Sequence, residues 1–283
     1  MSGGVIEEEI RAAKKMIAAV DIPEMPEALT QFQTEMRSDS PDMERLAEII
    51  STDITLSGMV LQLVNSAKYG LPSKISSIQR AVVVLGLSTM RNVILSAALR
   101  NTFAPGSEFQ ELFWDQANAC AKAAEAMAHS IEGVSPDDAF AIGLFHDAGA
   151  LVCERSHPRY PEVFRHAHSA IDTILGVDRK MFKTTHIVIS HQLAKNWNLP
   201  DHVCQAILLS HVVGCDEDVD DPAVRALTAI IKASNYVVGT VLYPEIAPKQ
   251  EGEQAFSGSL EELMVDESLI EEIRYDVQRF LSV

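Results

Sequence analysis

Segment after segment of this 283-residue chain repeats apolar residues at the spacing of an amphipathic helix. Residues that start and stop helices separate these segments: Ser135-Pro136 precedes one of them, and Gly70-Leu71-Pro72 follows another. The most strand-like run of the first half, Val82 to Val84, lies inside such a helical pattern. The sequence therefore predicts an all-α fold.

A break rich in Pro, Gly and Ser, from Asn101 to Ser107, is the natural boundary between two halves of the chain. We expect an N-terminal helical half at 1–105, a second helical half at 106–245 and an acidic C-terminal helical extension at 246–283. The chain is long enough to bury a sizeable core. Its composition, 47% hydrophobic and 22% charged, is ordinary for a globular protein.

The charge balance limits the kinds of partner. The chain has 23 Lys and Arg residues against 40 Asp and Glu residues, a formal net charge of −17. Because such a chain repels phosphate backbones, we expect no nucleic-acid partner. The apolar runs are too short for a membrane span and the N-terminus has no signal-peptide core, so the sequence predicts a cytoplasmic chain without membrane contact. The cysteines are expected to be reduced and mostly buried: Cys120, Cys153, Cys204 and Cys215.

The adjacent pair His146-Asp147 lies in a strongly apolar segment, 139–152, for which the pattern predicts one helix. A buried carboxylate beside a buried imidazole is costly unless the two are paired or bind a metal ion. Two interpretations stay open. The pair is either a metal-binding step of the kind found in metal-dependent phosphohydrolases, or a hydrogen-bonded pair that ties helices together.

Four motifs of the first half occur in order at characteristic spacing. They are Ile22-Pro23-x-x-Pro26, Leu46-Ala47-x-Ile49-Ile50-Ser51-x-Asp53, Asn65-Ser66-Ala67-x-Tyr69-Gly70, and the segment from Ile75 through Ala81 to Leu85-Gly86. Together they resemble the HDOD domain, a bacterial signalling module related to HD-type phosphohydrolases, and the resemblance extends over residues 20–240. It implies an all-helical fold in which an N-terminal bundle packs on a degenerate HD-like bundle.

The resemblance also implies where the ligands of an HD-type metal site would lie. The family's His-Asp pair is present, but its early His position is occupied by Gln116 and its late Asp position by Asn235. Neutral amides are poor ligands for transition metals. Two further histidines lie where HD-type relatives carry additional ones. We therefore predict a residual or vestigial metal site formed by His146, Asp147, His186 and His211.

Three functions from different classes remain open. We expect a non-catalytic signal-transduction module that regulates through contacts with signalling proteins, with no catalytic residue and no cofactor beyond a weakly bound divalent metal ion. The alternative is a metal-dependent phosphohydrolase or cyclic-nucleotide phosphodiesterase of the HD superfamily, which needs a nearly complete ligand set. A nucleic-acid-binding regulator is disfavoured by the charge. The sequence does not identify the partner, the pathway or the oligomeric state.

Overall fold

The computed structural model describes residues 3–20, 22, 25–103, 106–167, 171–212, 219–245 and 250–282. Within these ranges the regular structure is helical and no strand occurs, which confirms the all-α prediction. The helices are α1 Gly3–Ala19, α2 Glu27–Met36, α3 Met43–Thr52, α4 Ile54–Val64, α5 Ile78–Leu85, α6 Leu87–Thr102, α7 Glu108–Ala128, α8 Pro136–Phe145, α9 Gly149–Ser156, α10 Tyr160–Ala167, α11 Ile171–Phe182, α12 His186–Asn196, α13 Asp201–Leu209, α14 Pro222–Leu242, α15 Gln250–Leu263 and α16 Glu267–Leu281, with a 3-10 turn at Ala67–Tyr69.

The chain divides into two compact units, each made of two sequence segments. The larger unit contains Met1–Ile22 and Ser107–Arg279, and the smaller contains Pro23–Gly106 and Phe280–Val283. Helix α1 belongs to the larger unit because it packs on α9 and α12. The division of the sequence into three consecutive segments remains a prediction.

Short polar side chains set the helix boundaries of the smaller unit. Asp53 ends α3 and also caps α4, where its carboxylate accepts a hydrogen bond from the backbone N–H of Leu56 at 2.9 Å. Ser77 caps α5 in the same way. Helix α6 begins at Leu87 because Gly86, with a φ of +77°, takes the N-cap position.

Close packing of α7 and α8 organises the larger unit. Helix α7 is rich in alanine, and Gly143 of α8 lies against its backbone: a Cβ at Gly143 would overlap Ala121 and lie 2.6 Å from its backbone nitrogen. At the end of α8 the ring of Phe145 packs edge-on against Trp197, with centroids 5.5 Å apart. Trp197 is fully buried, so this contact lies in the core. Cys120, Cys153 and Cys204 are also buried and free, while Cys215 lies outside the described residues.

Among the described residues, no helix is both long and apolar enough to cross a bilayer by itself. Helices α3 and α4 pass the length and composition test only as a pair, and they are bent by 114° with respect to each other.

Two helical glycines with opposite surroundings give a test of this packing. Gly58 is exposed in the middle of α4, and an added Cβ would have no described atom within 4 Å. Because Ala is the better helix former, Gly58→Ala should raise the free energy of unfolding by about 0.5–1 kcal/mol. Gly143→Ala should lower it by about 1–3 kcal/mol because the new methyl group overpacks the contact with α7. Denaturant unfolding of the wild type and both variants measures these changes. A loss of stability in Gly58→Ala would contradict the open space that surrounds residue 58.

Candidate metal centre

His146 and Asp147 lie in a turn between α8 and α9 rather than inside one helix. Helix α8 ends at Phe145, and the backbone N–H of Ala148 donates to the Phe145 carbonyl three residues earlier at 3.0 Å. Such bonds tighten the backbone relative to an α-helix. The prediction of one continuous helix over 139–152 is therefore wrong, since the pattern of apolar residues continues through a break in the backbone.

Gly149 allows this turn to approach α12 closely. Its backbone N–H donates to the Ser190 hydroxyl at 2.8 Å. A Cβ at this position would lie 2.8 Å from the Cβ of Ile189 and would overlap the carbonyl oxygen of His186. Only glycine fits such an approach, so this residue sets how near Asp147 comes to His186.

The Asp147 carboxylate is the centre of a cluster of three imidazoles. Its Oδ2 lies 3.2 Å from Nε2 of His146, and its Oδ1 lies 3.5 Å from Nε2 of His186 and 3.6 Å from Nε2 of His211. Donor atoms of Asp147, His186 and His211 all lie within 4.8 Å of one another. The structure thus brings three of the four expected ligands together, while His146 contacts the other carboxylate oxygen of Asp147 and does not belong to the converging group. Binding of a metal ion by these four residues stays a prediction.

Hydrogen bonds at Nδ1 orient two of these rings. Nδ1 of His146 lies 2.9 Å from the Gly143 carbonyl oxygen, which can only accept, so this nitrogen carries the proton. Nδ1 of His211 lies 3.0 Å from the Ser210 hydroxyl, which itself donates to a backbone carbonyl at 2.8 Å and therefore accepts from the ring. In the neutral state both rings consequently present the Nε2 lone pair to Asp147.

Asp178 orients the third ring, and the sequence did not predict it. This residue of α11 is fully buried, and its Oδ2 accepts from both the backbone N–H of His186 at 2.9 Å and Nδ1 of the same residue at 2.5 Å. A carboxylate behind an imidazole is the usual way to fix the tautomer of a metal ligand. The acid stands in the run Gly176-Val177-Asp178-Arg179-Lys180, which has the composition of an exposed helix face. Its pairing with another helix could not be inferred from that pattern.

Charges in the cluster depend strongly on each other. Burial by itself raises the pKa of Asp147, but the nearby imidazoles of His146, His211 and His186 hold that pKa well below its ordinary value. Burial lowers the pKa of His186, yet Asp178 and Asp147 together raise it to about 10. When no metal ion is bound, a proton on His186 thus compensates carboxylates on two sides.

Several buried polar atoms of the cluster have no regular hydrogen bond within the described part of the chain. They are Nε2 of His146, Nε2 of His186 and both carboxylate oxygens of Asp147. Leaving such atoms unsatisfied is costly, and converging lone pairs are what a bound cation would satisfy. Imidazole nitrogen and carboxylate oxygen are suitable ligands for zinc and related divalent transition metals. The residues present therefore fit a metal ion.

Gln116 and Asn235 occupy the two substituted positions, and neither faces solvent. Gln116 of α7 is buried and Asn235 of α14 is half-buried. One turn after Gln116, the thiol of Cys120 donates to Oδ1 of Asn235 at 3.8 Å. Burial, and then the charge of Asp147, raise the pKa of Cys120 well above its ordinary value, so this thiol is neutral and electrostatically coupled to the cluster.

Comparisons with known sequences match a family profile and two proteins from bacteria. A profile of the HDOD domain matches residues 22–213. An uncharacterised protein of Treponema pallidum is 24% identical over 234 residues, which is 80% of this chain and 44% of that protein. YuxH of Bacillus subtilis is 26% identical over 115 residues, which is 41% of this chain and 28% of YuxH. The chain thus spans less than half the length of these curated relatives.

Solved structures share the fold. An HDOD domain protein of unknown function from Geobacter sulfurreducens matches with a TM-score of 0.69 and 22% identity, over 97% of this chain and 99% of that one. A Marinobacter aquaeolei protein provisionally named for signal transduction matches with a TM-score of 0.76 and 19% identity, over 99% of this chain and 64% of that one. A Shewanella amazonensis protein provisionally named a phosphohydrolase matches with a TM-score of 0.67 and 20% identity, over 94% of this chain and 97% of that one. At these identities the likeness supports the fold alone.

The pair formed by Asp178 and His186 predicts a pH dependence of stability in metal-depleted protein. The pKa of His186 is raised from 6.5 to about 10, so its stabilising contribution is complete below pH 6.5 and is lost as the pH rises through about 10. Denaturant unfolding in EDTA should show that the free energy of unfolding falls between pH 6 and pH 10. Comparison with the variant Asp178→Asn separates this effect from the titration of other groups.

The matched variant is Asp178→Asn, which keeps the shape of the side chain and removes its charge. It should be less stable than the wild type at pH 6 and lose less stability towards pH 10, since the pKa of His186 is no longer raised as far. Equal slopes for the two proteins over this range would contradict the ion pair.

Proposed function

Because the chain belongs to the HDOD family, we propose that it is a non-catalytic signal-transduction module that regulates by binding other signalling proteins. The observation that carries the proposal is the closure of the polar cluster: His146, Asp147 and His186 are each exposed by 2% or less. Hydrolysis of a phosphoester requires the substrate to reach a metal ion and its bound water. A cluster closed in this way is better suited to holding helices together.

The donor set supports the same proposal. Metal sites with four protein ligands are typically structural, whereas catalytic sites keep a position open for water. His146, Asp147, His186 and His211 together would supply four ligands if the ring of His146 joined the three residues whose donor atoms already converge. A divalent ion held there would cross-link the turn after α8 to α12 and to the residues that follow α13. The neutral amides of Gln116 and Asn235 would add no charge with which to hold a second ion.

Phosphohydrolase activity is the second candidate, and one observation favours it. Donor atoms of Asp147, His186 and His211 converge within 4.8 Å, and three protein ligands of this kind are the number that catalytic zinc sites use. The two candidates therefore differ in whether His146 occupies the fourth position or leaves it to water. The formal charge of −17 favours protein partners over nucleic acid in either case.

An activity assay separates the candidates. With Mg²⁺, Mn²⁺ or Fe²⁺ supplied, we expect no turnover of cyclic dinucleotides or nucleotide monophosphates above that of Asp147→Ala. The double variant Gln116→His with Asn235→Asp should bind divalent metal more tightly than the wild type, because it restores an imidazole and a carboxylate. Wild-type turnover that Asp147→Ala abolishes would overturn the proposal and favour the phosphohydrolase.

The same variant tests the structural role of the carboxylate. Asp147→Ala should lower the free energy of unfolding by about 1–3 kcal/mol, because it leaves three buried imidazoles without their common partner. Thermal unfolding of the wild type and the variant measures this loss, and an unchanged melting temperature would count against a structural role.

A further inference from the structure

The smaller unit contains a groove of about 930 Å³ that plays no part in the metal centre. One wall is formed by Gly58 and Leu61 of α4 and by its C-cap residue Asn65, which lie at helical spacing. The other wall is the loop from Gly70 to Ser76. The groove is thus built by the Asn65–Gly70 motif that the sequence analysis singled out and that the metal centre does not use.

Asn65 holds the two walls in place. Its side-chain amide N–H groups donate to the carbonyls of Leu61 at 2.7 Å and Ile75 at 2.8 Å, and its Oδ1 accepts from the backbone N–H of Ile75 at 2.7 Å. Gly70 has a φ of +57°, which allows the loop to turn back. Since two hydrogen bonds fix the loop to Asn65 and a third fixes Asn65 to α4, the groove is preformed.

Gly58 forms an open part of the helical wall. Glycine weakens the interior of a helix, and a close packing contact would normally explain its presence there. Here an added Cβ would meet no described atom within 4 Å, so packing within the chain does not explain the residue. Close approach of another molecule to the helix backbone would explain it.

The segment that carries the groove differs in charge from the rest of the chain. No Asp or Glu occurs between Asp53 and Glu108, although the chain as a whole has a net charge of −17. This interval contains five cations, Lys68, Lys74, Arg80, Arg91 and Arg100. Lys74 is exposed, and among the described residues that line the groove it alone carries a charge. The charge of the segment therefore favours an acidic occupant.

We propose that this groove binds an acidic peptide segment of a partner protein, with an apolar side chain over Gly58 and carboxylates near Lys74. Half-buried Leu61 and Leu71 offer apolar surface for the anchoring side chain. A nucleic acid fits less well because it requires several cations along its phosphates, whereas the lining supplies Lys74. This inference rests on the proposed regulatory function, of which it names the binding surface and the chemistry of the partner.

Selection from a display library of short random peptides against the immobilised full chain tests the proposal. Selected peptides should be enriched in Asp and Glu and should contain a bulky apolar residue. Their affinity is then measured by fluorescence polarisation with labelled synthetic copies. Gly58→Gln should weaken binding at least about tenfold while keeping or raising the melting temperature, because Gln fills the groove and favours the helix. Lys74→Glu should weaken binding at least about fivefold and reduce its dependence on salt.

Matched controls lie in the larger unit. Gly258 is an exposed helical glycine of α15 with no described atom within 4 Å of an added Cβ, and Lys180 is an exposed lysine of α11. Gly258→Gln and Lys180→Glu should therefore leave peptide affinity unchanged.

Several outcomes would overturn the proposal. They are recovery of no binding peptide, peptides without acidic enrichment, and equal affinity for the wild type and Gly58→Gln. The proposal would also be overturned if the groove bound phosphatidylglycerol vesicles, polyuridylate or a second copy of the chain in place of peptides. Failure of the proposed function is distinguishable, because metal-dependent phosphodiesterase turnover would contradict the regulatory function without altering peptide binding to the groove.

Discussion

The larger unit depends on a carboxylate that is buried among three imidazoles. Asp147 cannot stay ionised in a dry interior without compensating charge, which comes from a proton on His186 or from a metal ion shared with the surrounding rings. These groups come from different parts of the chain, so the requirement to compensate one charge fixes several elements at once. Gly149 then sets the distance, because only a residue without a side chain lets the turn touch α12.

Closure of this cluster is the structural support for the proposed regulatory function. A catalytic centre must leave a ligand position and a path for substrate, while a fully compensated buried cluster stabilises one arrangement of helices. Signalling by contact needs such a stable scaffold together with a surface that recognises a partner. The groove beside α4 has the features of that surface: a backbone fixed by Asn65, an open position at Gly58 and an acid-free surrounding sequence.

Local chemistry made the helices predictable, and tertiary approach limited the rest. Ser135 accepts a hydrogen bond at the start of α8, and Asp53 separates α3 from α4, as their sequence context indicates. His146, Asp147, His186 and His211 were found as ligand candidates from residue type and family resemblance. The break after Phe145 and the role of Asp178 were missed, since both depend on contacts between helices that helical spacing does not encode.

The coordination of a bound ion distinguishes a closed structural site from a catalytic one. X-ray absorption spectroscopy on the full chain loaded with one equivalent of Zn²⁺ counts the ligands of the metal and separates imidazole from other donors. We expect a filled shell of three imidazoles and one carboxylate, supplied by His146, His186, His211 and Asp147, with no bound water. A shell that contains an exchangeable water, or only two imidazoles, would contradict a closed structural site and would favour a catalytic one.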